Sequence, residues 1–230
     1  MLRTWIQDLG NCLYPKICPV CKSPIRTWNR FLCYPCHKNL AYTHSWKMNQ
    51  HPMHAIFWGR VPIQRIDALF HYRKNSPIQT ILHRIKYHHY PELAEELGRY
   101  YGNYLAKSGK YQEVDWLVPI PMHPKKERER GYNQATCFAK GLSESLKIPI
   151  HQNIIHKSMI SNSQTKKNRS ERNRELAQSF SLNPRFRRKN QHFILVDDVL
   201  TTGATLDAAA SQLLKIKGAK VSIVTLAVVI

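Results

Sequence analysis

FILVDDVLTTGATL, residues Phe193–Leu206, decides the fold of this 230-residue chain. Its four apolar residues, Phe193–Val196, form a short run of the kind that is buried on both faces of a parallel sheet. Asp197 and Asp198 follow at once, at the carboxyl end of the strand, which is where an open α/β sheet binds its ligands. Adjacent carboxylates there repel one another and lose hydration, so they call for hydroxyl donors, a cation, or both. Thr201, Thr202, Gly203, Ala204 and Thr205 come next and lead into a helix. Small residues let backbone N–H groups converge, threonine hydroxyls add donors, and the helix N-terminus adds a positive dipole. Together these make a cradle for a monophosphate. Carboxylates for a sugar diol, followed by a phosphate nest, match the two ends of a ribose 5-phosphate. The plainer alternative is a strand–turn–helix with a solvated acid pair and Thr202 or Thr205 serving only as an N-cap.

Outward from this stretch, strands and helices alternate. An opening strand is expected near Ala68–Tyr72. Ile78, Ile81, Leu82 and Ile85 after Pro77, and Leu93, Leu97, Tyr100, Tyr101 and Tyr104 after Pro91, mark two helical faces. Trp116–Pro121 reads as a strand, Tyr132–Leu146 as a helix and Ile148–Ile155 as a strand. Leu206, Ala209, Ala210, Leu213 and Leu214 face inward from a helix that Gly218 closes, and Val221–Ile230 is the last strand. Alternating βα units of this length predict an α/β fold with an open, mainly parallel sheet flanked by helices. Lys157–Gln178 contains one Leu, one Ile and no aromatic residue. It is expected to be a mobile loop or an exposed hairpin, since long polar loops in compact domains are often functional.

Lys and Arg number 35 against 15 acids, a formal charge of +20. Between His123 and Asn190 there are 16 basic residues and 5 acidic ones, so +11 of the total sits in that stretch. A concentration of this kind points to a polyanion partner, against the alternative of a solvated basic surface. No segment approaches the ~20 uninterrupted apolar residues of a membrane span, and the N-terminus has no long apolar core. A soluble, cytoplasmic protein is expected, in whose reducing surroundings cysteines serve as metal ligands or free thiols.

The first forty residues hold five of the six cysteines. Cys18 with Cys21, and Cys33 with Cys36, form two CxxC knuckles separated by eleven residues. Tetrahedral Zn²⁺ takes four thiolates arranged in this way. Cys33-Tyr-Pro-Cys36-His37 also matches a c-type haem attachment pattern, but that reading leaves Cys18 and Cys21 unexplained. A closed four-cysteine site is structural, a staple for a segment too poor in apolar residues to fold alone. Cys12 and Cys137 read as ordinary thiols, and His88-His89 and His51 with His54 as surface histidines. Trp46, Trp58 and Trp116 are candidates for stacking on bases, with Trp116 better placed in the core. The expected organisation is a zinc ribbon over 1–45, a connection over 46–66, and a main domain over 67–230 whose hood loop lies at about 157–178.

The VDDVLTTGAT segment resembles the 5-phosphoribosyl diphosphate (PRPP) motif of type I phosphoribosyltransferases. The resemblance implies that Asp197 and Asp198 contact the ribose 2′- and 3′-hydroxyls and that Thr201–Thr205 hold the 5-phosphate. It further implies a Mg²⁺ ion bridging ribose and diphosphate oxygens, and a diphosphate loop at VPIPMHP, Val118–Pro124. Pro121, Met122, Lys125, Arg128 and Arg130 are then candidates for the diphosphate or for a DNA backbone, although Glu127 and Glu129 allow the simpler reading of surface ion pairs. Purine-salvage members carry an acid where this chain has Thr201, which argues against that chemistry. In order, Lys86-Tyr87, VPIPMHP, RERGYNQA, a loop with Thr165, Arg169, Arg172, Asn173 and Phe180, and VDDVLTTGAT resemble the ComF family, whose members commonly begin with a four-cysteine ribbon. Three functions stay open at this point: handling of single-stranded DNA during natural transformation alongside DNA-uptake machinery, phosphoribosyl transfer to an acceptor, and PRPP sensing without turnover.

Overall fold

The structure, a computed structural model, describes residues 16–25, 31–157 and 179–229. Four parallel strands form the central sheet in the order β1 (Ile66–His71), β6 (Lys220–Val228), β5 (His192–Leu200), β2 (Trp116–Pro119). The two inner strands carry the near-continuous apolar runs that burial on both faces demands: every residue of β6 after Lys220 is buried. Alternation along the strands divides the core in two. Ile194 and Val196 of β5, with Val224 and Leu226 of β6, pack under α2 (Pro77–Tyr87), α3 (Pro91–Ser108) and α5 (Gln134–Leu146). Phe193, Leu195, Val221 and Ile223 face α6 (Ala204–Leu213) and a short antiparallel hairpin, β3 (Ile155–Lys157) with β4 (Phe180–Leu182).

α2 buries Ile78, Ile81, Leu82 and Ile85, the face its periodicity announced. The free edge of β1 is covered by the stretch that follows the second knuckle: the amide of Thr43 donates to the carbonyl of Leu69 at 3.1 Å and that of His71 to Ala41 at 2.7 Å. Covering an edge in this way removes a template for aggregation. Two 3₁₀ turns, Ser45–Lys47 and Pro52–Phe57, carry the chain from there to β1.

Three expectations are adjusted. β5 does not end at Val196 but runs to Leu200, with Asp197 registered against Thr225, so the acid pair lies within the last turns of the strand pairing rather than beyond it. Ile148–Ile155 is not a continuous strand. Only Ile150 bridges Leu117, flanked by Pro149, which has no N–H to donate, and Ile155 begins the separate hairpin. Pro124–Arg130, read as a basic run between elements, is a helix of its own, α4, with His123 Nδ1 accepting from the amide of Lys125 at its start. The polar stretch 158–178, with Thr165, Arg169, Arg172 and Asn173, lies outside the described residues, as does Cys12; of the expected hood only Lys157 is described.

Candidate functional site

Asp197 and Asp198 stand at the carboxyl end of β5, side by side and in unlike surroundings. Asp198 is buried, and its Oδ2 meets Lys86 Nζ at 2.7 Å and Gln134 Nε2 at 3.2 Å. Asp197 accepts the amide of Asp198 at 2.8 Å. Burial, with the charge of Asp198 added, pushes the Asp197 carboxyl up to about 8. Asp197 therefore holds its proton more tightly than an ordinary carboxyl, while Asp198 has a cation directly against it. Lys157, at the end of β3, feels the same site. Burial and the nearby Lys126 pull its ammonium down, while Asp197 holds it up.

The turn after β5 is exposed at Thr201 and Thr202 and buried at Gly203. Gly203 has φ +77°, a left-handed conformation that disfavours a side chain, and an added Cβ would lie 2.8 Å from Ile56 Cγ2 and 3.0 Å from Phe57 Cζ. Gly203 is the N-cap of α6, and it brings no side-chain acceptor. The first-turn amides of the helix are thus not consumed by a cap, which is what an anion needs. Neither Thr202 nor Thr205 is the N-cap, so the plainer reading of this turn loses its main support. From outside, Arg60 Nη1 donates to the carbonyl of Thr202 at 2.9 Å and fixes the loop to the connecting segment.

The loop after β2 comes alongside. The amide of Ile120 donates to the carbonyl of Val196 at 2.9 Å, and Asn133 Nδ2 donates to the carbonyl of Ile120 at the same distance while its Oδ1 caps α5. Pro121 and Met122 are half-buried at this bend. Arg130 donates to Gln134 Oε1 at 2.5 Å and lies 5.6 Å over the Tyr87 ring. A polar chain therefore runs from Arg130 through Gln134 to Asp198 and Lys86. Lys125 and Arg128 stand exposed on α4, and among the described residues no salt bridge joins them to Glu127 or Glu129. Reading the sequence assigned no role to Lys86, Gln134, Lys157 or Arg60. The signal for Lys86 was the Lys86-Tyr87 pair among the stretches that resemble the ComF family, which marked the residue without giving it a role.

The four knuckle cysteines converge as their spacing implied: the Sγ atoms of Cys18, Cys21, Cys33 and Cys36 all lie within 4.8 Å of one another, and Cys21 and Cys33 are 3.4 Å apart. Sulfur ligands about 2.3 Å from a zinc ion in tetrahedral array sit at such separations, so the residues fit the ion. The first knuckle is a tight turn in which the amide of Lys22 donates to the carbonyl of Cys18 and that of Cys18 to Ser23. The second opens α1 (Tyr34–Lys38). Burial pushes the Cys33 and Cys36 thiols up, while hydrogen bonds with Ser23 draw Cys21 down to about 6. Cys137 is a buried thiol on α5, and among the described residues no histidine joins a metal-holding cluster. Trp46 is buried, Trp116 is half-buried beneath Arg188, and Trp58 is 78% exposed.

Residues 133–230 match the phosphoribosyl transferase domain family. The chain is 27% identical over 210 residues to the DNA utilization protein YhgH of Escherichia coli K12, which covers 90% of this chain and 88% of that protein. It is 28% identical over 150 residues to competence protein F of Haemophilus influenzae, covering 61% and 63%. It is 37% identical over 111 residues to competence protein ComFC of Bacillus subtilis, covering 48% and 43%. The chain is thus similar to competence and DNA utilization proteins along most of its length, and to phosphoribosyl transferase domains over its C-terminal part. The expected α/β architecture, with its parallel sheet flanked by helices and a four-cysteine cluster at its N-terminal end, is the one observed. The matched domain contains Gln134, both acids and the Thr-Gly turn. Lys86, the Pro121–Arg130 segment and the four knuckle cysteines lie outside it. No helix among the described residues is long and apolar enough to cross a membrane.

Proposed function

We propose that this chain is a ComF-type protein that binds PRPP with Mg²⁺ and handles single-stranded DNA in the cytoplasm during natural transformation, in company with DNA-uptake machinery. The observation that carries the ligand assignment is the juxtaposition of the Asp197–Asp198 pair with an uncapped, glycine-initiated helix N-terminus one turn away. Thr201–Thr205 take the 5-phosphate on backbone amides and threonine hydroxyls. Asp197 and Asp198 would take the ribose diol, with Lys86 as the counter-ion against Asp198 until a ligand binds. Pro121 and Met122 shape the diphosphate loop, and Lys125, Arg128 and Arg130 supply cations beside it. Mg²⁺ in such a site neutralises the diphosphate. Zinc in the cysteine cluster is structural, because four protein ligands leave no open position.

The DNA half of the reading is supported by the +20 charge and by relatives named for competence and DNA utilization. Calorimetric titration with PRPP–Mg²⁺, paired with single-stranded DNA binding over a salt series, tests both halves. Binding of PRPP is expected for the wild type and lost in Asp197→Asn/Asp198→Asn. Unchanged PRPP affinity in that double variant removes the site assignment, and PRPP binding with no DNA affinity at moderate salt removes the DNA role.

A further inference from the structure

We propose that single-stranded nucleic acid runs along the seam between the first cysteine knuckle and α2, with a base against Tyr90 and phosphates at Lys22 and Arg84. The inference rests on the reading of this protein as a handler of single-stranded DNA and gives that contact its residues. Two adjoining cavities of about 430 and 280 Å³ open along the seam and share Arg84 and His88 as walls. Lys22 adds a cation from the knuckle and His83 adds an imidazole from the helix, while Ile17 and Tyr90 form the apolar rim. Among the described residues no carboxylate lines either cavity. Glu92 and Glu96 act on the Tyr90 hydroxyl from α3 but stay outside the lining.

A groove of this composition fits one chemistry. Cations without partner acids are matched by backbone phosphates, and exposed aromatic faces by unstacked bases, which a duplex does not offer. Ile17 is 55% exposed and Tyr90 38%, an apolar rim that a folded monomer gains nothing from showing to water. Lys22 is fixed by the knuckle turn, with φ +63° and its amide bonded to Cys18, so its position depends on the cysteine cluster holding. The seam is also continuous with the candidate ligand site. The Tyr87 ring lies 4.9 Å from that of His83 on one side and 5.6 Å from the Arg130 guanidinium on the other, and Arg130 reaches Asp198 through Gln134. A strand in the groove would pass the phosphoribosyl site by way of Arg130.

The test uses the full metal-loaded chain and a fluorescein-labelled oligothymidylate, with anisotropy read across a salt series. Lys22→Gln/Arg84→Gln is expected to weaken binding and to flatten the log K against log salt slope by about 1.4, at roughly 0.7 per phosphate on a single strand. Removing the same charge at exposed Arg187 and Lys189 should leave the slope alone. Tyr90→Leu should cost roughly tenfold with the slope retained, since it removes stacking and no charge. The proposal is overturned if the Arg187/Lys189 pair matches the groove pair, or if a duplex of equal length binds as tightly and loses as much. If the wild type binds oligothymidylate and the groove variants bind it equally well, the seam alone is wrong. If the wild type binds PRPP but no oligothymidylate, the DNA role falls and the seam falls with it.

Discussion

Asp197 and Asp198 are identical side chains one peptide apart, and the fold treats them differently. Asp198 has an ammonium at 2.7 Å, whereas Asp197 is raised to about 8 by burial and by its neighbour's charge. A carboxyl raised in the folded state favours folding most at pH below its unfolded value near 3.8, and that advantage is lost progressively as pH rises through about 8. At pH 8 the native chain without ligand therefore carries an electrostatic cost that is absent at pH 4. Asp197→Asn keeps an oxygen for the Asp198 amide and removes the titration. Its thermal midpoint is expected to exceed that of the wild type at pH 8, with the gain shrinking toward pH 4, while PRPP binding is lost. Equal midpoints at both pH values would show that Asp197 is not strained. The presence of the pair was legible in the sequence because its chemistry is local. Its asymmetry was not, because Lys86 and Gln134 arrive from α2 and α5, and only folding brings them to the strand end.

At the scale of elements, helical periodicity was read well and strand ends poorly, for a physical reason. α2 and α3 bury one stripe each, so Ile78, Ile81, Leu82 and Ile85 announce the helix directly. β5 keeps its hydrogen bonds past the Phe193–Val196 run, through Asp197, Val199 and Leu200, because a polar residue at a strand end still pairs its backbone with β6. Composition falls silent there while the ladder continues. The α3–α5 contact was hidden for the opposite reason, since it is made by residues with no side chain. A Cβ on Gly141 would lie 1.9 Å from the carbonyl oxygen of Glu95 and 2.5 Å from the amide nitrogen of Arg99, both backbone atoms. A clash with backbone cannot be relieved by a rotamer change, so the two helices would have to separate. Gly141→Ala should lower stability by about 3 kcal/mol, at the upper end of overpacking costs, measured as a fall in the denaturation midpoint. Gly131→Ala, at φ +82° but with no atom within 4 Å of its Cβ, should cost only about 1 kcal/mol. Equal costs would mean that the helix contact yields more easily than its geometry allows.

At the scale of the whole molecule, the cysteine segment is built into the main core. Cys18, Phe31, Leu32, Cys33 and Leu40 belong to the same apolar cluster as α2, α3 and α5. Phe31 packs edge-on against Tyr100 at 5.3 Å, and His37 hydrogen-bonds Tyr42 at 2.8 Å and Tyr100 at 3.2 Å. Four cysteines at metal spacing were readable as a cluster from the sequence alone. Their docking was not, because aromatic residues scattered from Phe31 to Tyr104 show no period that links the two regions. Shared packing changes what metal removal should do. An appended ribbon would unfold by itself and leave the main transition untouched, whereas a ribbon whose residues complete the α2–α3 face should take that face with it. Stripping the metal with a chelator, or Cys33→Ser, is therefore expected to lower the single main thermal transition, with a loss of at least about 3 kcal/mol, because apparent binding energies at structural zinc sites far exceed that figure. The same treatment should release the knuckle that positions Lys22 and weaken oligothymidylate binding. A main transition unmoved by chelation, with metal release verified by a zinc-sensitive dye, would separate the ribbon from the core energetically and require that the aromatic contacts alone hold it in place.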